Sequence, residues 1–166
     1  MMNILVIGSW HTHKAMTCKT EAEQIGKALA ERGHILVSGG GTGISELVVN
    51  SYRAHKGKKY IAYFPSKEEM AKVGEEKGPK PDEEIDTKSD YPTRNVIIVK
   101  NCDAMIALHG GLGTISEIVH AVKDYGKKVV VIDKGDLAKW VKSISELHEK
   151  VLLTADINKA MEYLES

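Results

Sequence analysis

Two glycine-rich stretches carry most of the chemistry this chain can be expected to do. Gly39-Gly40-Gly41-Thr42-Gly43-Ile44-Ser45-Glu46 and Gly110-Gly111-Leu112-Gly113-Thr114-Ile115-Ser116-Glu117 sit 71 residues apart with near-identical grammar. Each leaves an apolar run and opens a helix-like segment. A helix N-terminus offers unpaired N–H groups and about half a positive charge, and glycine lets an anion approach the backbone with no Cβ in the way. Both loops are therefore candidate phosphate sites, with Gly39, Gly40, Gly41 and Thr42 in the first and Gly110, Gly111, Leu112, Gly113 and Thr114 in the second. The plainer alternative is that the glycines only make tight strand-to-helix turns. The dinucleotide pattern G-x-G-x-x-G is missing, since the first strand runs into Gly8-Ser9-Trp10-His11-Thr12-His13 with one glycine, and the P-loop pattern G-x-x-x-x-G-K-[ST] is absent too. What the loops suit is a smaller ligand bearing one phosphate, bound at the carboxyl edge of a parallel sheet near the point where strand order reverses.

Charged groups beside the loops extend the list. Thr114 and Glu117 form T-x-x-E, which is a helix capping box. The same carboxylate placed beside a ribose would instead stabilise an oxocarbenium-like centre or orient a water, as in glycoside hydrolysis. Arg94 falls in the first turn of a helix, where the dipole disfavours a cation by about 0.3–1 kcal/mol. Either Asp90, four residues earlier, or a ligand phosphate held bidentately would offset that cost. Ser9, Trp10 and His11 follow the first strand and are pocket candidates, Trp10 by stacking on a ring. Asn95 and His109 join them by adjacency to Arg94 and to the second loop. His11 and His13 have no third ligand at metal spacing, so no metal is assigned. Cys102 is read as a small buried residue with no chemistry.

Positioning these groups requires a particular alternation. Strand-like runs are Asn3 to Gly8, His34 to Ser38, Tyr60 to Phe64, Ala104 to Leu108, Lys128 to Ile132 and Val151 to Leu153. Between and after them lie helix-like segments Lys19 to Arg32, Ile44 to His55, Pro92 to Lys100, Ile115 to Tyr125, Asp136 to Leu147 and Ile157 to Leu164. Ile4-Leu5-Val6-Ile7 is apolar at every position, as in a strand covered on both faces. The pattern predicts an α/β fold, a three-layer Rossmann-like doubly wound parallel sheet of about six strands, in a single domain over residues 1–166. Residues 66–90 interrupt it with nine acids, five lysines and two prolines, and read as a mobile charged excursion with a short helix from Ser66 to Val73.

Composition narrows the function classes. With 23 basic and 23 acidic residues in 166, the formal charge is zero, which argues against a general nucleic-acid coat. Apolar runs fall far short of the roughly 20 residues that span a bilayer. Two cysteines and no apolar targeting stretch point to a cytoplasmic setting.

Arg94-Asn95 in a helix, the strand Asp103 to Leu108, and then Gly110-Gly111-Leu112-Gly113-Thr114 with Glu117 together resemble the LOG (Lonely Guy) phosphoribohydrolases, a Rossmann-like superfamily with the legacy label of lysine decarboxylase. The resemblance implies a homodimer or higher homo-oligomer that binds a nucleoside 5′-monophosphate and, in the enzymes, cleaves it to free base and ribose 5-phosphate. It makes Arg94 and Glu117 the catalytic pair and Gly110, Gly111, Gly113 and Thr114 the phosphate loop. The enzymes usually carry proline at the position of His109, an Arg-Lys pair where this chain has Arg94-Asn95, and G-L-M-G where it has Gly43-Ile44-Ser45-Glu46. Those departures bring it nearer a short branch similar to molybdenum cofactor carrier proteins. Two expectations stand together: an N-glycosidase needing no cofactor, and a non-catalytic carrier of a phosphate-bearing cofactor such as molybdopterin. Lysine decarboxylation has no support, since nothing marks a pyridoxal-binding lysine.

Overall fold

The computed structural model describes residues 1–166. In chain order the elements are β1 (Asn3–Gly8), α1 (Thr12–Met16), α2 (Lys19–Glu31), β2 (Ile35–Ser38), α3 (Ile44–Ala54), β3 (Tyr60–Phe64), α4 (Lys67–Val73), β4 (Glu83–Asp86) and α5 (Tyr91–Asn101). There follow β5 (Ala104–Leu108), α6 (Leu112–Val119), a π-helical turn at His120–Asp124, β6 (Lys128–Ile132), α7 (Gly135–Ser143), α8 (Ser145–His148), β7 (Leu152–Thr154) and α9 (Ile157–Glu165).

All seven strands pair in parallel in the order β4-β3-β2-β1-β5-β6-β7. β1 is central because its run of four apolar residues feeds two cores by alternation. Ile4 and Val6 point into a core shared with Ala22, Ile25 and Leu29 of α2, Val48 and Tyr52 of α3 and Met161 of α9. Leu5 and Ile7 point into the other, shared with Ile98 of α5, Ile118 of α6 and Leu137 and Val141 of α7. The period of two in a strand makes this division compulsory. Truncating one of the leucines or isoleucines among them to alanine costs about 2–5 kcal/mol.

The expected architecture is the one found, with one strand more than the six expected. The extra strand, β4, lies inside the charged segment 66–90; its only hydrophobic residue is Ile85, and Glu83, Glu84 and Asp86 are exposed at the sheet edge. Charge of this kind suits an edge strand, where it discourages pairing with another sheet. The short helix expected from Ser66 is α4, capped by Ser66 Oγ accepting from Glu69 N–H at 3.3 Å. The single helix expected over Asp136 to Leu147 is broken at Ile144, whose backbone is extended.

From β1 the chain winds outward to β4 and then returns to place β5 against the opposite edge of β1. Strand order reverses there, so the loops after β1 and β5 diverge and leave a crevice at their carboxyl ends. Both glycine stretches open onto that edge, one after β2 and one after β5.

Candidate functional site

A cavity of about 740 Å³ occupies the crevice. Ser9, Trp10, His11, Gly39, Gly41, Thr42, Arg94, Asn95, His109, Gly110, Gly111, Gly113, Thr114 and Glu117 all line it. Two residues expected beside them do not. Leu112 is 81% exposed. Gly40 is packed beneath Phe64, whose Cζ would stand 2.3 Å from a Cβ there, and its φ of +74° belongs to the left-handed region.

The loop after β1 ties the two glycine stretches together. Ser9 N–H donates to the His109 carbonyl at 2.7 Å, and the Ser9 carbonyl accepts from Ile44 N–H at 2.9 Å. Thr42 Oγ1 donates to the Trp10 carbonyl at 2.8 Å. The Trp10 ring stacks on His11 with centroids 4.1 Å apart and stays 40% exposed, leaving surface for a ligand ring.

The two stretches are not equivalent despite their shared grammar. The first is covered: Gly78 N–H donates to the Gly40 carbonyl at 2.8 Å, and Lys77 forms an antiparallel bridge to Gly41. The second is open. Nothing lies within 4 Å of a Cβ built on Gly111 or Gly113, while one on Gly110 would meet Thr114 Oγ1 at 2.2 Å. Gly110 is thus required by the fold, and the empty space over Gly111 and Gly113 faces the first turn of α6, where the amides are unpaired.

The capping-box expectation for Thr114 and Glu117 is corrected. α6 starts two residues earlier than Thr114, its N-cap is Gly111, and no side chain caps it. Glu117 is thereby released from a capping role and lines the cavity instead. Its carboxyl is pushed up to about 7, chiefly by burial, with the Glu75 carboxylate adding to the rise and the Arg94 guanidinium opposing it. A carboxyl shifted by burial beside a specific charge, in a cleft, is a functional-site signature.

Asp90 does not offset Arg94. It caps α5, accepting from Thr93 N–H at 2.8 Å, because an Asp before a helix satisfies its own first turn more readily than it reaches a side chain. Arg94 instead crosses to the other side of the crevice. Its Nη1 donates to the carbonyls of Gly39 at 3.1 Å and Tyr63 at 2.9 Å, and Nε donates to Asn95 Oδ1 at 2.9 Å. The guanidinium is buried and Nη2 forms no hydrogen bond within the protein.

His109 holds a left-handed backbone (φ 51°) between β5 and the second glycine loop, and its Nδ1 is buried with no hydrogen-bond partner. Its ring packs on Gly135, where a Cβ would lie 3.3 Å from Cδ2. His13 is absent from the cavity wall, and no three His, Cys, Asp or Glu side chains converge as metal ligands anywhere in the structure. No helix is long and apolar enough to cross a membrane.

Glu75, Tyr91, Asp136 and Trp140 also line the cavity, and the motifs did not reveal them. Asp136 and Trp140 stand one turn apart on α7, a spacing that puts both on one face. Glu75 was hidden in a charge run that reads as a solvated surface.

An open parallel sheet that reverses its strand order beside a glycine loop defines the Rossmann-like fold class. Residues 1–161 match the model of the SLOG cluster4 family, and the chain belongs to that family. It is 37% identical over 133 residues to an uncharacterised protein of Archaeoglobus fulgidus, covering 78% of each chain. It is 35% identical over 104 residues to the cytokinin riboside 5′-monophosphate phosphoribohydrolase LOG of Oryza sativa subsp. japonica, covering 61% of this chain and 40% of that protein. The molybdenum cofactor carrier protein from Chlamydomonas reinhardtii superposes with a TM-score of 0.79 at 23% identity, over 98% of this chain and 95% of that one.

Proposed function

We propose that the chain binds a nucleoside 5′-monophosphate with its phosphate on the amides of Gly111 to Thr114, and hydrolyses the N-ribosidic bond to free base and ribose 5-phosphate. The observation that carries this is the Glu117 carboxyl, one turn into the helix whose first turn would hold the phosphate, buried enough to be pushed up to about 7 yet open to the cavity. A ribose extends from its phosphate over that turn, so the carboxylate stands beside the sugar. In its ionised form it stabilises the positive charge that develops on the anomeric carbon as the base departs, and accepts the proton of the attacking water. Arg94 limits the cost of that ionisation, and its unbound Nη2 supplies a donor to the substrate. The relation to the rice phosphoribohydrolase supports the same chemistry. The homodimer expected from the resemblance belongs to this proposal.

Incubation with adenosine or cytokinin-type 5′-monophosphates, followed for free base and ribose 5-phosphate, tests hydrolysis. Release above a Glu117→Ala control is the expected result, and its absence removes the catalytic claim. The cradle is tested separately by a pair of glycines. Gly113→Ala adds a methyl in open space and leaves the melting temperature unchanged or slightly raised, since alanine is the better helix former by about 0.5–1 kcal/mol. It weakens ribose 5-phosphate binding at least tenfold by occupying the anion's place. Gly40→Ala does the reverse: it destabilises by about 2–4 kcal/mol, from the left-handed backbone and the clash with Phe64, without entering the cavity.

A second reading, a carrier that holds a phosphate-bearing pterin unchanged, is favoured by one observation. Arg94 is largely engaged with backbone carbonyls and has Asn95, not a second cation, beside it. A pterin ring fits the open face of Trp10, and its phosphate would use the same amides. Pterin fluorescence retained on protein purified from its own cell, without turnover of monophosphates, distinguishes the carrier.

A further inference from the structure

Glu75 and Asp136 are the two carboxylates of the cavity that neither the phosphate cradle nor the hydrolysis uses, and of the two only Glu75 stands at the first glycine loop. It follows α4, and the chain after it is clamped onto the first glycine loop through Lys77 and Gly78. A Cβ on Gly41 would lie 2.6 Å from Glu75 Oε1, so the carboxylate rests directly on the first glycine loop, just beyond β2. It is half-buried, lines the cavity and forms no ion pair, although other acids of its segment, Glu69 and Glu84, pair with lysines. Beside it stands the buried Tyr91 hydroxyl, its ionisation pushed up by burial and then by its hydrogen bonding toward Glu75 and the charge of that carboxylate.

The sheet sets how far this carboxylate is from the phosphate loop. β2 and β5 flank β1 on its two sides, and strands are spaced about 4.8 Å apart, so the two loops are separated by roughly 10 Å. One end of the cavity thus presents amide donors and the other presents the Glu75 acceptor beside the Arg94 guanidinium, with the loop that carries Trp10 between them. An elongated ligand with its phosphate on the second loop brings the far edge of its ring to Glu75, and its ribose hydroxyls stop short.

Resting on the monophosphate reading, we propose that Glu75 is a specificity residue that recognises a ring edge carrying adjacent N–H and NH2 donors, as guanine and pterins do, in preference to adenine. An ionised carboxylate only accepts, and its two oxygens match two parallel N–H groups. Adenine's corresponding edge offers one donor and one ring nitrogen acceptor, which would face a carboxylate lone pair. A site built to pair with donors rejects the analogue lacking one, because a buried polar group is left unpaired.

Calorimetric titration in a Glu117→Gln background, which suppresses turnover, tests this with guanosine monophosphate, neopterin monophosphate, adenosine monophosphate and ribose 5-phosphate. Guanosine and neopterin monophosphates are expected to bind at least tenfold tighter than adenosine monophosphate. Adding Glu75→Gln, whose amide both donates and accepts, is expected to remove that preference and leave ribose 5-phosphate unchanged. Whichever of the two preferred ligands binds tighter, the nucleotide or the pterin, the edge assignment is supported. Equal binding of guanosine and adenosine monophosphates, or an equal loss of both in Glu75→Gln, overturns it while bound ribose 5-phosphate keeps the cradle. Failure of ribose 5-phosphate to bind overturns the cradle as well.

Discussion

Glu117→Gln is expected to lower the proposed release of ribose 5-phosphate by roughly a thousandfold, the middle of the range for loss of a positioned acid–base group, with substrate affinity changed much less. The amide keeps the shape and hydrogen bonding of the side chain and removes only its charge. Since the proposed mechanism uses the ionised carboxylate, kcat/KM of the wild type is expected to rise about tenfold per pH unit below about 7 and to level off above it. A profile that falls with pH through the same region would assign the residue as an acid and contradict its role beside the anomeric carbon.

The same substitution has the opposite effect on stability. Glu117 is pushed up from 4.5 to about 7, so the folded state holds its proton more tightly than the unfolded chain does. Below the ordinary carboxyl value both states are protonated and nothing is lost. As pH rises from there through 7 the fold loses stability, by at most about 3 kcal/mol and by less in so far as cavity water screens the charge. Glu117→Gln is therefore expected to melt higher than wild type at pH 8 and equally at pH 4. A carboxyl kept in a cavity against the preference of the fold gives this trade between the proposed activity and stability.

Arg94→Ala has the second large effect. It strips a buried guanidinium from the carbonyls of Gly39 and Tyr63 and leaves both short of a partner, which costs about 1–3 kcal/mol for each group. For a chain of this size that lowers the melting temperature by on the order of 10 °C. Nucleotide affinity is expected to fall at least tenfold. Since Arg94 holds the Glu117 carboxyl down, its removal also moves the rising limb of the pH profile to higher pH. That displacement separates a residue acting on the site from one that only supports the fold. Arg94→Lys recovers little, because a single ammonium cannot reproduce the fork that spans two carbonyls and Asn95.

Much of this was legible in the residues alone. The uninterrupted apolar run of β1 announced a strand buried on both faces, and glycine with helix signals placed two loops at the carboxyl edge. Local patterns did not show that those loops differ. Gly110 to Thr114 and Gly39 to Thr42 share their grammar, but only tertiary packing brings Gly78 and Glu75 down on the first and leaves the second open. The seventh strand was missed for a related reason: Glu83 to Asp86 is too acidic to read as a strand, and it forms one because the edge of β3 supplies its hydrogen bonds. Arg94 lines the cavity where its position in the helix led one to look for it. Its partners were not foreseen, since nothing near it in sequence reveals carbonyls on β3 and beyond β2.

The most direct test is a crystal structure of the Glu117→Gln protein grown with a nucleoside 5′-monophosphate. The expected map shows the phosphate on the amides of Gly111, Gly113 and Thr114, with the anomeric carbon facing residue 117. A phosphate bound instead at Gly39 to Thr42, or a second loop closed over by Thr114 with the nucleotide elsewhere, would contradict it.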